Sequence, residues 1–383
     1  MKFRRTHLAY CTNIHPARNW EETRHSLRTH TLGVRDLLIK NGQLHANEAY
    51  AIGLRLSAQA TSELLQGDQL VRFRDWLAET NTYVFTINGF PYGDFHGTRV
   101  KEQVFAPDWT HDDRVEYTKN LFKILAAIAP ANSGGSVSTL PGSHKTFEAD
   151  ESIIRKNLIS LADWLDDLSA RSGKDLHLGL EPEPLGHIEN TEESLAFFDR
   201  LTNEADNPAL LLKRIGINYD CCHFALQFED AKHSLDALTR AGIRISKIHL
   251  SNALSLDMNR KEALTAIAGF DEPVYSHQVV HQHASGAISR FMDLPDFLRA
   301  APSGLTGEAR VHFHIPLDAK PSTPLGSTSE HVTDTLSWLS SHPDACTHLE
   351  IETYTWGVLP TELRRPVEEQ IAAEYRWVLA QNM

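Results

Sequence analysis

The sequence predicts a closed (β/α)8 barrel, and three observations carry that expectation. Short apolar, β-rich runs alternate with longer amphipathic stretches along the chain, the pattern of repeated βα units around a parallel sheet. No GxGxxG or GxxxxGK(S/T) follows any of these runs, which removes the commonest doubly wound nucleotide folds. Several runs end in an acidic residue or a histidine, at the side of a barrel where active sites are built.

The strands are expected at His7–Thr12, Ile52–Leu56, Tyr83–Ile87, Ser136–Thr139, Leu176–Leu180, Ile215–Tyr219, Ile245–Leu250, Val311–Ile315 and Leu349–Glu352. That is one more than a barrel needs. Helices are expected between them at Trp20–Ile39, Leu70–Leu77, Asp113–Ile128, Ser152–Ser169, Glu192–Leu201, Ala231–Ala241 and Val332–Leu339, with Glu368–Val378 after the last strand. The spacing of Leu158, Leu161, Leu165 and Leu168 places one apolar stripe along its helix. The extra strand falls in the long stretch between the seventh and last barrel strands. The chain is therefore expected to be one barrel domain over 1–383, with 251–347 containing inserted loops and that strand. The segments Ala301–Gly304 and Pro321–Pro324 are expected as loops.

Composition narrows the function classes. Lys and Arg number 37 against 50 Asp and Glu, a net charge of −13, so a nucleic-acid partner is not expected. No run of about 18 apolar residues occurs, and no apolar segment follows the basic start, so neither a membrane span nor a signal peptide is expected. Cys11, Cys221, Cys222 and Cys346 have no zinc-finger or paired spacing, which suits a cytoplasmic protein without disulfides.

Strand parity then selects the candidate site. Leu176, Leu178 and Leu180 share one face, so His177, Gly179 and Glu181 turn inward with Glu181 at the rim. The same alternation brings Asp220 to the rim of the sixth strand, Lys247 and His249 inward on the seventh, and Glu350 and Glu352 inward on the last. Two glutamates, an aspartate and a histidine at one mouth repel and are costly to desolvate unless a cation neutralises them. Glu181, Asp220, His249 and Glu352 are thus the expected ligands of one divalent ion, and O/N ligation fits Mn, Mg, Co, Fe or Zn. Glu183 shares the parity of Glu181 and is the alternative ligand if that strand runs longer. His223, His314 and His15 are candidate substrate or supporting contacts. Lys247 is expected in an ion pair beneath the ion rather than as a Schiff-base lysine. Phe90, Tyr92, Phe95, Tyr354 and Trp356 are candidates for a pocket wall, and His96, His144 and His277 are further mouth-facing histidines.

At these residues the sequence resembles the xylose isomerase-like barrels, a superfamily of sugar isomerases, ketose 3-epimerases and endonuclease IV. The matching pieces are Leu180-Glu181-Pro182, Asp220-Cys221-Cys222-His223, Lys247-Ile248-His249-Leu250 and Ile351-Glu352-Thr353. Over most of its length the chain resembles the EboE metabolite traffic branch, through YCTNIHP from Tyr10, FTINGFPYGDFHG from Phe85, STLPGSHK from Ser138, YDCCHFALQFED from Tyr219, VHFHIPL from Val311 and ETYTWGVLP from Glu352. Two departures stand out. The stretch from His249 to Glu352 is longer than in an epimerase, and His312-Phe313-His314 occupies the place of an Asp-x-His zinc pair of endonuclease IV, so the resemblance does not carry a trinuclear zinc site over.

The resemblance implies isomerase or epimerase-type proton transfer on a hydroxylated small molecule, with Glu181 and Glu352 as base and acid. It also implies work beside other proteins of one gene cluster for a secondary metabolite. A non-catalytic metabolite carrier and a metal-dependent phosphoester hydrolase are the alternatives, and strand-end ligands alone do not separate carriage from catalysis.

Overall fold

The computed structural model describes residues 1–94, 101–272, 274–300, 305–359 and 364–381. Phe95, His96 and the expected loop Ala301–Gly304 lie outside them.

Eight parallel strands form the barrel: β1 Thr6–Tyr10, β2 Tyr50–Arg55, β3 Thr82–Asn88, β4 Gly135–Thr139, β5 Leu176–Leu180, β6 Ile215–Asp220, β7 Arg244–Leu250 and β8 His348–Ile351. Each pairs with the next in the chain, β8 pairs with both β7 and β1, and a parallel bridge from Cys11 to Gly53 joins β1 to β2. The ring is closed. Lys2–Phe3 adds only an antiparallel edge outside β1.

Apolar alternation drives this arrangement. The outward faces, including Leu176, Leu178 and Leu180 of β5, are fully buried beneath helices such as Glu151–Ser172, which presents Ile154, Leu158, Leu161 and Leu165. Asp150 caps that helix by accepting from Ser152 N, and Gly173 ends it at φ 66°, a left-handed conformation that costs glycine little. The lower barrel interior is polar: His177 Nδ1 meets Ser246 Oγ at 2.6 Å, and His348 meets Ser136 Oγ through Nδ1 (2.8 Å) and donates from Nε2 to Ser133 O (2.8 Å). Burial pushes the His348 imidazole down to about 3, so this layer is neutral.

The stretch after β7 is more than an inserted strand. Val311–Ile315 belongs to Gly307–Ile315, the middle of a five-stranded antiparallel sheet in the order Ile288–Phe291, Val279–His283, Gly307–Ile315, Asn252–Asp257, Leu325–Ser327. Ile288–Phe291 and Leu325–Ser327 lack a buried face to alternate, so no apolar period marks them in the sequence. The sheet has its own apolar cluster, with Leu254, Leu256, Ile267, Phe270, Phe297 and Phe313. Among the described residues no helix is long and apolar enough to cross a membrane.

Candidate metal centre

Local chain geometry brings four acidic or basic groups to one point. The sequence Glu181-Pro182-Glu183-Pro184 keeps the chain extended beyond β5, because proline neither donates to a helix nor tolerates a helical predecessor. Glu181 N still bonds Thr139 O at 2.9 Å, so the carboxylate keeps the inward parity of the strand. Asp220 ends β6 and caps the short helix Cys221–Leu226, its Oδ1 accepting from His223 N at 3.0 Å and from Ser251 Oγ at 2.7 Å. His249 is the penultimate residue of β7, and Glu352 follows β8, its backbone N held by Leu250 O at 3.1 Å.

Donor atoms of Glu181, Asp220, His249 and Glu352 lie within 4.8 Å of one another, and all four residues are buried. His249 is the hub. Its Nε2 contacts Glu350 Oε2 at 3.0 Å, while Nδ1 faces Glu181 Oε1 at 3.1 Å, Glu352 Oε2 at 3.2 Å and Asp220 Oδ2 at 3.4 Å. Asn218 Nδ2 lies 3.3 Å from the same Nδ1. Glu181 Oε2 and Asp220 Oδ2 are buried with no hydrogen-bond partner, so the cluster is incomplete as a protein-only network.

The electrostatics agree with that incompleteness. Burial disfavours an imidazolium at His249, yet Glu352 and Glu181 hold it well above the ordinary histidine range. Burial would raise Asp220, but His223, His249 and His314 take it well below the carboxylate range. Glu183, on the cavity wall beside this group, is pushed well up by burial and then by Glu181, Asp220 and Glu352. A cation among these groups would satisfy the orphaned oxygens and offset their repulsion, so the residues fit a divalent ion. Between the two glutamates left open by the sequence, Glu181 joins the four-residue cluster and Glu183 does not.

Beneath the centre, Glu350 Oε2 takes Lys247 Nζ at 2.6 Å as well as His249. Lys247 and His249 bring Glu350 down to about 2 against the upward push of burial. Lys247 is therefore an ion-paired ammonium, not a free amine. Glu352 Oε1 accepts from Asn13 Nδ2 at 2.8 Å and Asn88 Nδ2 at 3.2 Å. These three supports were not singled out from the sequence as site residues. Glu350 had a signal in its shared parity with Glu352, whereas Asn13 and Asn88 had only their positions at strand ends.

The centre opens into a cavity of about 400 Å³, lined by Glu181, Glu183, His223 and Glu352 at its base and by Phe90, Phe105, Tyr275 and Tyr354 among its walls. Tyr275, Met292 and His312 come from the inserted sheet region, which thus closes one side of the mouth. His223 lines the cavity, and His314 lies 3.9 Å from Glu352 Oε2. His144 reaches the cavity too, whereas His277 is spent on Glu272 and the His312 carbonyl. His15 lines a separate hollow, bonded to Tyr10 OH and stacked on His30 at 4.6 Å. Trp356 is half-buried, donates to Arg365 O at 2.8 Å and is not among the cavity-lining residues.

The fold is a (β/α)8 barrel similar to xylose isomerase-like barrels of known structure. The IolI protein, solved with a bound zinc atom, aligns at TM-score 0.50 and 11% identity over 97% of this chain and 96% of its own. A probable 3-DHS dehydratase, AsbF, from Bacillus anthracis aligns at TM-score 0.50 and 14% identity over 98% and 100%. A xylose isomerase domain protein from Salmonella typhimurium aligns at 0.45 and 12% identity over 99% and 98%. No protein-family model and no curated protein matches the sequence.

Proposed function

We propose that the protein catalyses proton transfer at a carbon next to a carbonyl in a hydroxylated small molecule, as an isomerase or epimerase with a divalent ion held by Glu181, Asp220, His249 and Glu352. The observation that carries this reading is His249 Nδ1 set among three carboxylates in a buried, cavity-facing cluster. When bound, the ion would chelate neighbouring carbonyl and hydroxyl oxygens and stabilise the negative charge that develops as the proton leaves. Glu181 keeps Oε2 unpartnered and is the group placed to accept that proton. Glu352, with Oε1 fixed by two amides, returns a proton from the side of β8. Phe90, Phe105, Tyr275 and Tyr354 give the cavity an aromatic wall.

The zinc atom bound by the IolI protein supports a cation in such a barrel. The EboE-like motifs support a finer reading: a secondary-metabolite precursor as substrate, handled in the cytoplasm with proteins of one gene cluster. The test is solvent deuterium exchange into a panel of hydroxyketones and ketoses, with Mn, Co or Zn supplied. Exchange that disappears in Glu352→Gln and Glu181→Gln supports the enzyme. Tight binding with no exchange would overturn it in favour of a carrier.

A further inference from the structure

We propose that the molecule taken by the cavity is uncharged and amphiphilic, a hydroxycarbonyl head joined to an apolar body, and neither a free sugar nor a phosphorylated one. The proposal rests on the hydroxycarbonyl-binding centre described above and concerns what fills the space beyond it.

The lining changes character away from the centre. Val104 and Phe105 enter it from the short helix Lys101–Phe105, Pro91 from the chain after β3, Leu185 from the chain after β5, and Met292 and Pro295 from the inserted region. Two aromatic pairs frame the same space. Phe90 meets Phe105 edge to face at 5.2 Å and 74°, and Tyr275 meets Tyr354 at 5.3 Å and 76°. Phe105 also packs on the His144 ring at 4.9 Å, and Phe90, Phe105 and Tyr275 are buried, so the wall is held in place before a ligand arrives. A sugar hydroxyl pressed against such a wall gives up water without gaining a partner, whereas a methylene there gains by leaving water. Met292 carries the apolar surface out to the lip of the cavity, where it is 50% exposed. A flexible thioether side chain suits contact with a hydrocarbon body of variable shape. The volume of about 400 Å³ lies within the range of sites that enclose drug-sized molecules, roughly 300–1,000 Å³.

Charge excludes an anionic substrate group. Glu102, Glu181, Glu183, Asp293, Asp296 and Glu352 all line the cavity, against Lys101 and Arg299 as its lysine and arginine. Both cations face carboxylates of their own: Lys101 pairs with Asp293, and Arg299 with Asp296. Asp293 is itself fixed, accepting from His277 N at 2.9 Å and Leu294 N at 3.0 Å, which holds Lys101 at the rim. A phosphate or carboxylate on the substrate would enter a negative field without a guanidinium or ammonium free to meet it.

Calorimetric titration of the full-length protein, with Mn2+ supplied, against 1-hydroxy-2-alkanones of increasing chain length tests this, with fructose and hydroxyacetone phosphate as comparisons. Affinity should rise by up to about fourfold per added methylene until the cavity is filled. Hydroxyacetone phosphate should bind no better than hydroxyacetone, and fructose more weakly than hydroxyoctanone. Phe105→Ser and Met292→Asp should each reduce the gain per methylene and leave hydroxyacetone affinity unchanged. If Phe105→Ser does not fold, Met292→Asp, at an exposed position, carries that comparison. Affinity independent of chain length, tighter binding of fructose or of the phosphate ester, or a gain per methylene that persists in the variants would overturn the proposal. Chain-length-dependent binding without solvent deuterium exchange would support this substrate class while removing the proton-transfer reading. Exchange into short ketoses with no chain-length gain would do the reverse.

Discussion

Lys247 Nζ and Glu350 Oε2 meet at 2.6 Å inside the barrel, and neither side chain reaches solvent. The pair is the floor of the candidate centre, because the same Glu350 oxygen fixes His249 through Nε2. Removing one partner leaves a buried charge uncompensated, which costs about 3–5 kcal/mol. Lys247→Met should lose that much in urea unfolding, whereas Lys247→Met with Glu350→Gln should recover most of it. A single-variant loss below about 1 kcal/mol, the range of an exposed pair, would show that the two charges are solvated.

Glu352 offers a separate test of how the centre is held. Asn13 and Asn88 approach its Oε1 from β1 and β3 sides of the mouth, on the opposite edge from His249. Loss of such an outer hydrogen bond typically weakens metal affinity by about 10–100-fold. Asn13→Ala and Asn88→Ala should each do so in a Co2+ titration, with a stability change of only about 1–3 kcal/mol. Unchanged affinity in both variants would mean that Glu352 does not ligate.

The barrel was legible because its signal is local: Leu176, Leu178 and Leu180 alternate with His177 and Gly179, and the same period recurs in Ile215, Ile217 and Tyr219. Strand-end parity likewise located Glu181, Asp220, His249 and Glu352, which the fold brings within 4.8 Å. The supports were less legible because they depend on closure. Asn13 reaches Glu352 across 339 residues of chain, and no local period encodes which amide meets which carboxylate. His15 shows the converse: its loop has the right place in the chain, but its ring turns away to stack on His30. His312 takes its direction from the inserted sheet, so strand parity around the barrel does not place it.

Gly53 is where the barrel closes, bridged to Cys11. A Cβ there would lie 1.9 Å from Glu350 Oε1 and 2.6 Å from Tyr10 O, so neither backbone nor a buried carboxylate has room for it. Gly53→Ala should destabilise the protein by about 1–3 kcal/mol through overpacking. It should also weaken cobalt binding, since Glu350 must shift and His249 leans on it. A folded variant with wild-type affinity would show that Glu350 does not position His249.

Glu374 gives the pH prediction. It is buried on the C-terminal helix, where Oε2 accepts from Thr353 Oγ1 at 2.7 Å and Leu317 N at 3.2 Å, tying the ends of β8 and the inserted sheet to that helix. Burial raises its carboxyl from 4.5 to about 7, against the hydrogen bonds from Thr353, Leu317 and Gln370. A carboxyl raised on folding binds its proton more tightly in the native state than in the unfolded one. Its favourable contribution is therefore complete below the unfolded value of 4.5 and is lost as pH rises through about 7. At about 1.4 kcal/mol per unit the loss is on the order of 3 kcal/mol. Glu374→Gln removes the titration and keeps an acceptor for Thr353 and Leu317. The difference in unfolding free energy between wild type and Glu374→Gln should move in favour of the variant by about that amount from acid to neutral pH. A difference that stays flat across this window would show that Glu374 ionises with its ordinary affinity and that the helix contact is open to water.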